Sequence, residues 1–256
     1  MMSEVSAAAA VPAPLVAALA ASGRRAVRLV LFDIDGTLIR TGGVGVLAFA
    51  RALTSTFGRP DVTDRIRFGG RTDPSLVREL FGHAGVDPTP ENLSRFLDAY
   101  VFWLDHLLTE SRNGGPCPGV QMFLEQLRQL PQPPTVGLLT GNIRLGAEIK
   151  LRHYGLWDAF EMGAFADDDA DRNRLAGIAR DRGSALCGRE LTGDEILVVG
   201  DTPLDIECGR AIGARVLAVA TGGARTEVLR EHRPDWLLPT LEEANAEALC
   251  AGAAVV

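Results

Sequence analysis

The sequence has almost no lysine and no excess of basic charge. Of its 26 basic residues, Lys150 is the single lysine, and the net charge of the 256 residues is -7. Such a chain lacks the excess of basic residues that binds the phosphates of nucleic acid. It also has no stretch of about 20 apolar residues, the length that spans a bilayer. We therefore expect neither nucleic acid nor a membrane as a partner.

Cysteine and histidine are equally scarce. The four cysteines lack CxxC spacing, and the four histidines share no spacing with one another or with the acids. These patterns argue against a zinc site or a disulfide framework and fit a reducing compartment. We therefore expect a cytoplasmic protein.

The N-terminal stretch is rich in alanine and contains two prolines. Its paired arginines, Arg24 and Arg25, follow the apolar part, whereas a secretory signal begins with basic residues. We expect residues 1–24 to form a disordered or weakly helical extension.

Short apolar runs recur along most of the chain and are separated by helical segments. Five runs have the composition of buried parallel strands: 28–33, 135–140, 162–166, 195–201 and 215–221. Strands that alternate with helices at this spacing are typical of an α/β fold with a doubly wound parallel sheet. A chain of this length holds one large domain, or a core with a smaller insertion.

The segment 41–116 interrupts this alternation. Its apolar residues, for example Phe49, Leu53 and Phe57, repeat at helical spacing, and glycine pairs lie near both ends. We predict a small α-helical cap over 41–116, inserted into an α/β core made of 25–40 and 117–256. Such a cap could close over the strand ends and exclude water, or it could be a passive helical subdomain.

Two carboxylates follow the first predicted strand, in the run LVLFDIDGTLI. Asp33 and Asp35 lie where ligands bind in open parallel sheets, beyond the carboxyl ends of the strands. An aspartate pair there is a candidate nucleophile with its own acid/base partner. The alternative is an ordinary turn, because Asp and Gly are common turn residues.

A second acidic pair, Asp201 and Asp205, follows the fourth predicted strand. Because neighbouring strand ends converge, these acids could meet Asp33 and Asp35. Crowded carboxylates repel one another unless a cation lies among them, and Mg²⁺ prefers a few carboxylates together with waters and a phosphate. The sequence therefore predicts a magnesium site.

Groups that could bind a phosphate follow the second strand, in the run LLTGN. The hydroxyl of Thr140 and the backbone N–H groups of Gly141 and Asn142 could hold phosphate oxygens, although Thr140 taken alone is better explained as the cap of the next helix. In DRNRL, Arg172 and Arg174 are candidate cations for a transferring phosphoryl group.

The run GGRTDPSL within the predicted cap contains Arg71. This arginine could reach an anionic substrate, or it could be a solvated residue of a capping turn.

FDIDGTLI, LLTGN and GDTPLDIECG, in that order, resemble the motifs of the haloacid dehalogenase (HAD) superfamily. The insertion resembles the helical cap of the phosphoglycolate phosphatase and β-phosphoglucomutase-like branch. The resemblance implies a Rossmann-like core and a magnesium-dependent phosphatase that acts on a small phosphorylated molecule through an aspartyl-phosphate.

The resemblance also implies a role for each matching residue. Asp33 would attack phosphorus, and Asp35 would protonate the leaving group and then activate water. Asp33, the main-chain carbonyl of Asp35, and Asp201 would bind Mg²⁺ with support from Asp205. Thr140 would bind the phosphoryl group.

The chain departs from the family pattern at the basic residue, which is commonly a lysine before a proline. Arg172 lies about where that lysine would be, and Arg174 is the near alternative. Lys150 fits less well, because it belongs to the helix after the second strand. Arginine keeps the charge but changes the geometry of phosphate binding.

Two other functions stay open at this point. A sugar phosphomutase of the β-phosphoglucomutase type uses the same aspartates, and a non-catalytic HAD-like protein would use the cap as a binding surface. The presence of Asp35 favours phosphate chemistry over dehalogenation, since dehalogenases of the superfamily lack this second acid. The sequence predicts neither the substrate nor the oligomeric state.

Overall fold

The computed structural model describes residues 25–251, so the predicted extension over 1–24 lies outside the described residues. The strands are β1 Leu29–Phe32, β2 Ile39–Arg40, β3 Gly115–Pro116, β4 Thr135–Leu139, β5 Met162–Ala164, β6 Ile196–Gly200, β7 Arg215–Val219 and β8 Trp236–Leu238. The helices are α1 Val44–Phe57, α2 Asp73–Ala84, α3 Pro90–Glu110, α4 Val120–Arg128, α5 Arg144–His153, α6 Arg172–Leu186, α7 Pro203–Ala211, α8 Thr226–Glu231 and α9 Ala246–Cys250.

Six strands form one parallel sheet in the order β5-β4-β1-β6-β7-β8. The strand β1 lies in the interior of this sheet, and Phe32 at its end pairs with Leu138 of β4 and Val199 of β6. The carboxyl ends of β4, β1 and β6 are therefore neighbours. This arrangement confirms the predicted α/β fold.

Both faces of the sheet are covered by helices. Val30 and Phe32 belong to a buried cluster that includes residues of α4, α5 and α9, whereas Leu29 and Leu31 belong to one that includes residues of α6, α7 and α8. All four side chains are fully buried, which explains why β1 is a continuous apolar run rather than an alternating one.

The chain between β2 and β3 is helical. Helices α1, α2 and α3 share a third buried cluster, in which the ring of Phe49 contacts those of Phe68, Phe96 and Tyr100. The antiparallel pairing of β2 with β3 brings the two ends of this helical segment side by side. The boundaries predicted for a cap, 41 and 116, stay a prediction.

The sixth strand, β8, was not predicted. It is three residues long, lies at the edge of the sheet and is only half-buried. In the sequence, so short an apolar run does not differ from a surface loop. Within residues 25–251, no helix is both long enough and apolar enough to cross a bilayer.

Candidate active site

A cavity of about 220 Å³ lies at the ends of β1 and β4, and its lining includes the predicted site residues Asp33, Asp35, Arg71, Gly141, Asn142 and Arg172. Thr140, Asp201 and Asp205 are buried and are not among its lining residues. Its wall includes six charged side chains: Asp33, Asp35, Arg71, Asp73, Lys150 and Arg172. The helical segment contributes an apolar part of the wall, formed by Val46, Phe49, Phe68, Leu76 and Tyr100. The cavity is therefore charged at the sheet and mostly apolar opposite it.

The two acids after β1 have different environments. Asp33 is buried, and its backbone N–H donates to the carbonyl of Val199 at 3.0 Å, which extends the pairing of β1 with β6. The side chain of Asp35 is 44% exposed. Only Asp35 is thus open enough to exchange protons with a bound molecule or water.

A tight turn follows the acids and depends on Gly36. This residue has a φ of 92°, and its carbonyl accepts a hydrogen bond from the Thr221 hydroxyl at 2.6 Å. A Cβ at this position would lie 2.6 Å from Oδ2 of Asp201 and 2.9 Å from Cα of Gly222. Glycine therefore allows the turn to pass close to Asp201.

We expect Gly36→Ala to destabilise the protein by more than Gly43→Ala. Gly43 also has a positive φ of 90°, but a Cβ there has no atom within 4 Å. Alanine in this conformation costs about 1–2 kcal/mol by itself, so Gly43→Ala measures that cost and the excess at Gly36 measures the clash. Urea unfolding measures the free energy of unfolding of both variants. Equal decreases in this free energy would mean that a Cβ at Gly36 causes no clash.

Asp33, Asp201 and Asp205 form a buried cluster, with one carboxylate oxygen from each lying within 4.8 Å of the others. Burial, followed by the negative charge of Asp205, raises the pKa of Asp33 to about 7 and that of Asp201 to about 9. The hydroxyl of Thr37 donates to Oδ1 of Asp201 at 2.9 Å. Three crowded carboxylates of this kind fit a hard divalent cation such as Mg²⁺.

The fourth acid, Asp205, is held in place by two kinds of donor. Its Oδ2 accepts hydrogen bonds from the backbone N–H and the hydroxyl of Thr202, at 2.9 and 2.6 Å, and its Oδ1 pairs with the guanidinium of Arg172. The carboxylate of Asp205 is therefore held in a fixed position beside the other two.

The structure separates the two candidate arginines. Arg172, the first residue of α6, is buried, and its Nη2 lies 3.6 Å from Oδ1 of Asp33. The side chain of Arg174 is 74% exposed and pairs with Asp169 at 3.4 Å. Only Arg172 of this pair reaches the acids.

Thr140 is fully buried at the end of β4 and does not cap the next helix, since α5 begins after Ile143. Its Oγ1 accepts hydrogen bonds from the backbone N–H of Asn142 at 3.2 Å and from Nδ2 of Asn142 at 2.9 Å. Both interactions use the oxygen as acceptor, so the hydroxyl proton has no acceptor among the described residues.

Lys150 also reaches the site, although the sequence favours Arg172 and Arg174 over it. Its Nζ donates to Oδ2 of Asp35 at 2.7 Å and to Oδ1 of Asn142 at 2.6 Å, and its side chain is 5% exposed. One signal pointed to this: Lys150 lies on the same face of α5 as buried Gly146, Ala147 and Leu151. A lysine in a buried stripe requires an acidic partner.

The run GGRTD forms a loop that lines the cavity, yet the charge of Arg71 is already paired. Its guanidinium contacts the carboxylate of Glu79 on α2 and donates to the carbonyl of Ser75 at 3.4 Å.

Asp73, at the start of α2, was missed by the sequence analysis because an aspartate before a proline looks like an ordinary helix start. Its backbone N–H donates to the carbonyl of Gly141 at 2.7 Å, and its Oδ2 accepts from the N–H of Ile143 at 2.9 Å. The neighbouring Thr72 hydroxyl donates to the carbonyl of Ala170 at 3.0 Å. These bonds hold the Asp73 carboxyl beside the loop after β4.

Comparison with known proteins supports what the geometry indicates. The family described as haloacid dehalogenase-like hydrolase matches residues 30–219. The chain belongs to this family. The predicted superfamily is therefore confirmed, and with it the predicted enzyme class, a HAD-like hydrolase of phosphoric monoesters.

Among similar sequences, a phosphoglycolate phosphatase of Synechococcus elongatus is 29% identical over 82% of this chain and 92% of its own length. A pyrophosphatase, PpaX of Bacillus pumilus, is 27% identical over 85% of this chain and 94% of its own. Among solved structures of HAD proteins, CbbY of Rhodobacter sphaeroides in complex with phosphate has a TM-score of 0.71 at 17% identity and covers 88% of this chain and 99% of its own. This last likeness shows a shared fold.

Proposed function

We propose that this HAD-like hydrolase is a Mg²⁺-dependent phosphatase, which cleaves a small phosphomonoester through an aspartyl-phosphate on Asp33. The observation that carries the proposal is the meeting of Asp33, Asp201 and Asp205 in one buried cluster beside a cavity that Asp35 also lines. Relatives with phosphatase and pyrophosphatase activity, and a phosphate complex of a protein with the same fold, support it.

Asp33, Asp201 and Asp205 would hold Mg²⁺ together with the main-chain carbonyl of Asp35. The bound ion would neutralise charge on the phosphoryl oxygens. Arg172 sits beside the same acids and adds a fixed positive charge there.

In the first half of the reaction, a carboxylate oxygen of Asp33 attacks phosphorus, and the bond from phosphorus to the leaving oxygen breaks. The carboxyl of Asp35 gives its proton to that oxygen, so the product leaves as an alcohol. Thr140 donates its hydroxyl proton to a phosphoryl oxygen, and the loop at Gly141 and Asn142 lies alongside.

In the second half, the Asp35 carboxylate takes a proton from a water molecule, and the water oxygen attacks the phosphorus of the aspartyl-phosphate. The bond between phosphorus and Asp33 breaks, which releases inorganic phosphate and restores the Asp33 carboxylate. Asp35 ends the cycle protonated, ready for the next substrate.

Lys150 and Asn142 hold Asp35 for this exchange. Both donate to the same oxygen, Oδ2, at 2.7 and 2.8 Å. Because Oδ2 is occupied by these donors, the transferred proton is carried on Oδ1. Positive charge is thus divided between Arg172 beside the nucleophile and Lys150 beside the acid.

A panel of phosphomonoesters assayed with MgCl₂ and with EDTA tests the proposal. We expect phosphate release that requires Mg²⁺ and is lost on chelation. Isomerisation of a sugar phosphate without free phosphate would instead identify a phosphomutase. Failure to turn over any ester would favour a binding protein.

A further inference from the structure

One acid in the cavity wall has no role in the reaction and no cation of its own. Asp73 is 6% exposed, and none of the ion pairs formed by the described residues includes it. Its Oδ2 accepts the N–H of Ile143, whereas no donor within residues 25–251 reaches Oδ1. Burial, opposed in part by the positive charge of Lys150, raises the pKa of Asp73 to about 7.

Asp73 belongs to the helical segment, which also supplies the apolar part of the cavity wall. In the proposed reaction the phosphoryl group lies at Asp33 and Arg172, which line the same cavity, so we place the leaving group toward the wall formed by the helical segment. The other charged residue contributed by that segment, Arg71, is paired with Glu79. The leaving-group side therefore offers one acceptor oxygen and no unpaired cation among the described lining residues.

We infer that Asp73 selects the leaving group: it accepts a hydrogen bond from a hydroxyl or ammonium group on the alcohol that carries the phosphate, and it disfavours a carboxylate or second phosphate there. This inference rests on the proposed phosphatase function. Above about pH 7, where Asp73 is ionised, an anionic group next to it would face like charge, whereas a hydroxyl or ammonium group supplies the donor that Oδ1 lacks. Substrates of this kind differ from the substrate named in a phosphoglycolate phosphatase.

Four esters with the same two-carbon skeleton isolate this effect: 2-aminoethyl, 2-hydroxyethyl and ethyl phosphate, and 2-phosphoglycolate. We expect kcat/KM for the aminoethyl and hydroxyethyl esters to exceed that for ethyl phosphate by about 10-fold, with phosphoglycolate lowest. Each ester is also assayed as a competitive inhibitor of 4-nitrophenyl phosphate hydrolysis, so that slowly hydrolysed esters are ranked too.

Asp73→Asn removes the charge but keeps an oxygen that can accept the N–H of Ile143. We expect kcat/KM of this variant to fall about 10-fold for the aminoethyl ester and to rise about 10-fold for phosphoglycolate. Its kcat/KM for ethyl phosphate should change little. Glu79→Gln serves as a second variant, because it releases the guanidinium of Arg71. It should also raise kcat/KM for phosphoglycolate.

The results distinguish failure of the inference about Asp73 from failure of the proposed function. A wild-type preference for phosphoglycolate, or equal changes for all four esters in Asp73→Asn, would assign Asp73 a purely structural role and overturn the inference. If the wild type hydrolyses neither these esters nor 4-nitrophenyl phosphate, the proposed function itself fails and the inference with it.

Discussion

Asp33→Asn is expected to abolish turnover, lowering kcat/KM for every phosphomonoester by about four orders of magnitude or more. The reason is that an amide oxygen cannot replace the carboxylate that attacks phosphorus. Phosphate release measured with saturating MgCl₂ checks this, together with a search by mass spectrometry for the phosphorylated chain, which should be detectable only in the wild type.

The fold of this variant is checked separately. Asparagine has the shape of aspartate and removes one of three crowded, buried carboxylates, so the Tm without Mg²⁺ should equal or exceed that of the wild type. Mg²⁺ should raise the Tm of the wild type more than that of the variant, because a ligand that binds the native state stabilises it. Hydrolysis at the wild-type rate would mean that a contaminating phosphatase had been assayed.

Lys150→Met is expected to lower kcat/KM for an alkyl phosphate by about 100-fold, but that for 4-nitrophenyl phosphate by less than about 5-fold. The alkyl leaving group needs the proton of Asp35, whereas nitrophenolate leaves without one. Methionine fills a similar volume but cannot donate to Oδ2 of Asp35, so Asn142 alone is left to orient the acid. Comparison of the two esters under single-turnover conditions measures the difference.

Arg174→Met is the matched control, since it removes an exposed cation outside the cavity and should leave both rates unchanged. If Lys150→Met instead lowers kcat/KM equally for the two esters and weakens inhibition by inorganic phosphate, Lys150 binds the phosphoryl group rather than positioning Asp35.

The interior of the sheet could be predicted from the sequence because its strands are buried on both faces. Apart from Thr135 and Arg215, which begin β4 and β7, the runs at β1, β4, β6 and β7 are continuously apolar, which distinguishes them from the helices. The strand β8 and the pair β2 and β3 could not be found in this way. Each has only two or three residues, too few to show a period, and their pairing depends on chain segments far away in the sequence.

Asp33, Asp35 and Asp201 could be predicted because each lies just past the end of a recognisable strand, and Asp205 follows Asp201 on the next helix. Lys150 and Asp73 depend instead on how helices and loops pack above the sheet. Helical spacing shows that Lys150 shares a face with buried residues, but it does not show that this face meets Asp35. The position of Asp73 results from hydrogen bonds to Gly141 and Ile143, which no local pattern reveals.

The interior position of β1 has a consequence for synthesis of the chain. On one side β1 pairs with β4, which is followed by Thr140 and Lys150; on the other it pairs with β6, which is followed by Asp201. While the chain is being made, Asp33 can therefore meet the residues that follow β4 before Asp201 and Asp205 exist. During that interval one edge of β1 lacks its partner, and such edges pair readily with other chains. Arrival of β6 closes this edge and brings Asp201 beside Asp33 in a single step.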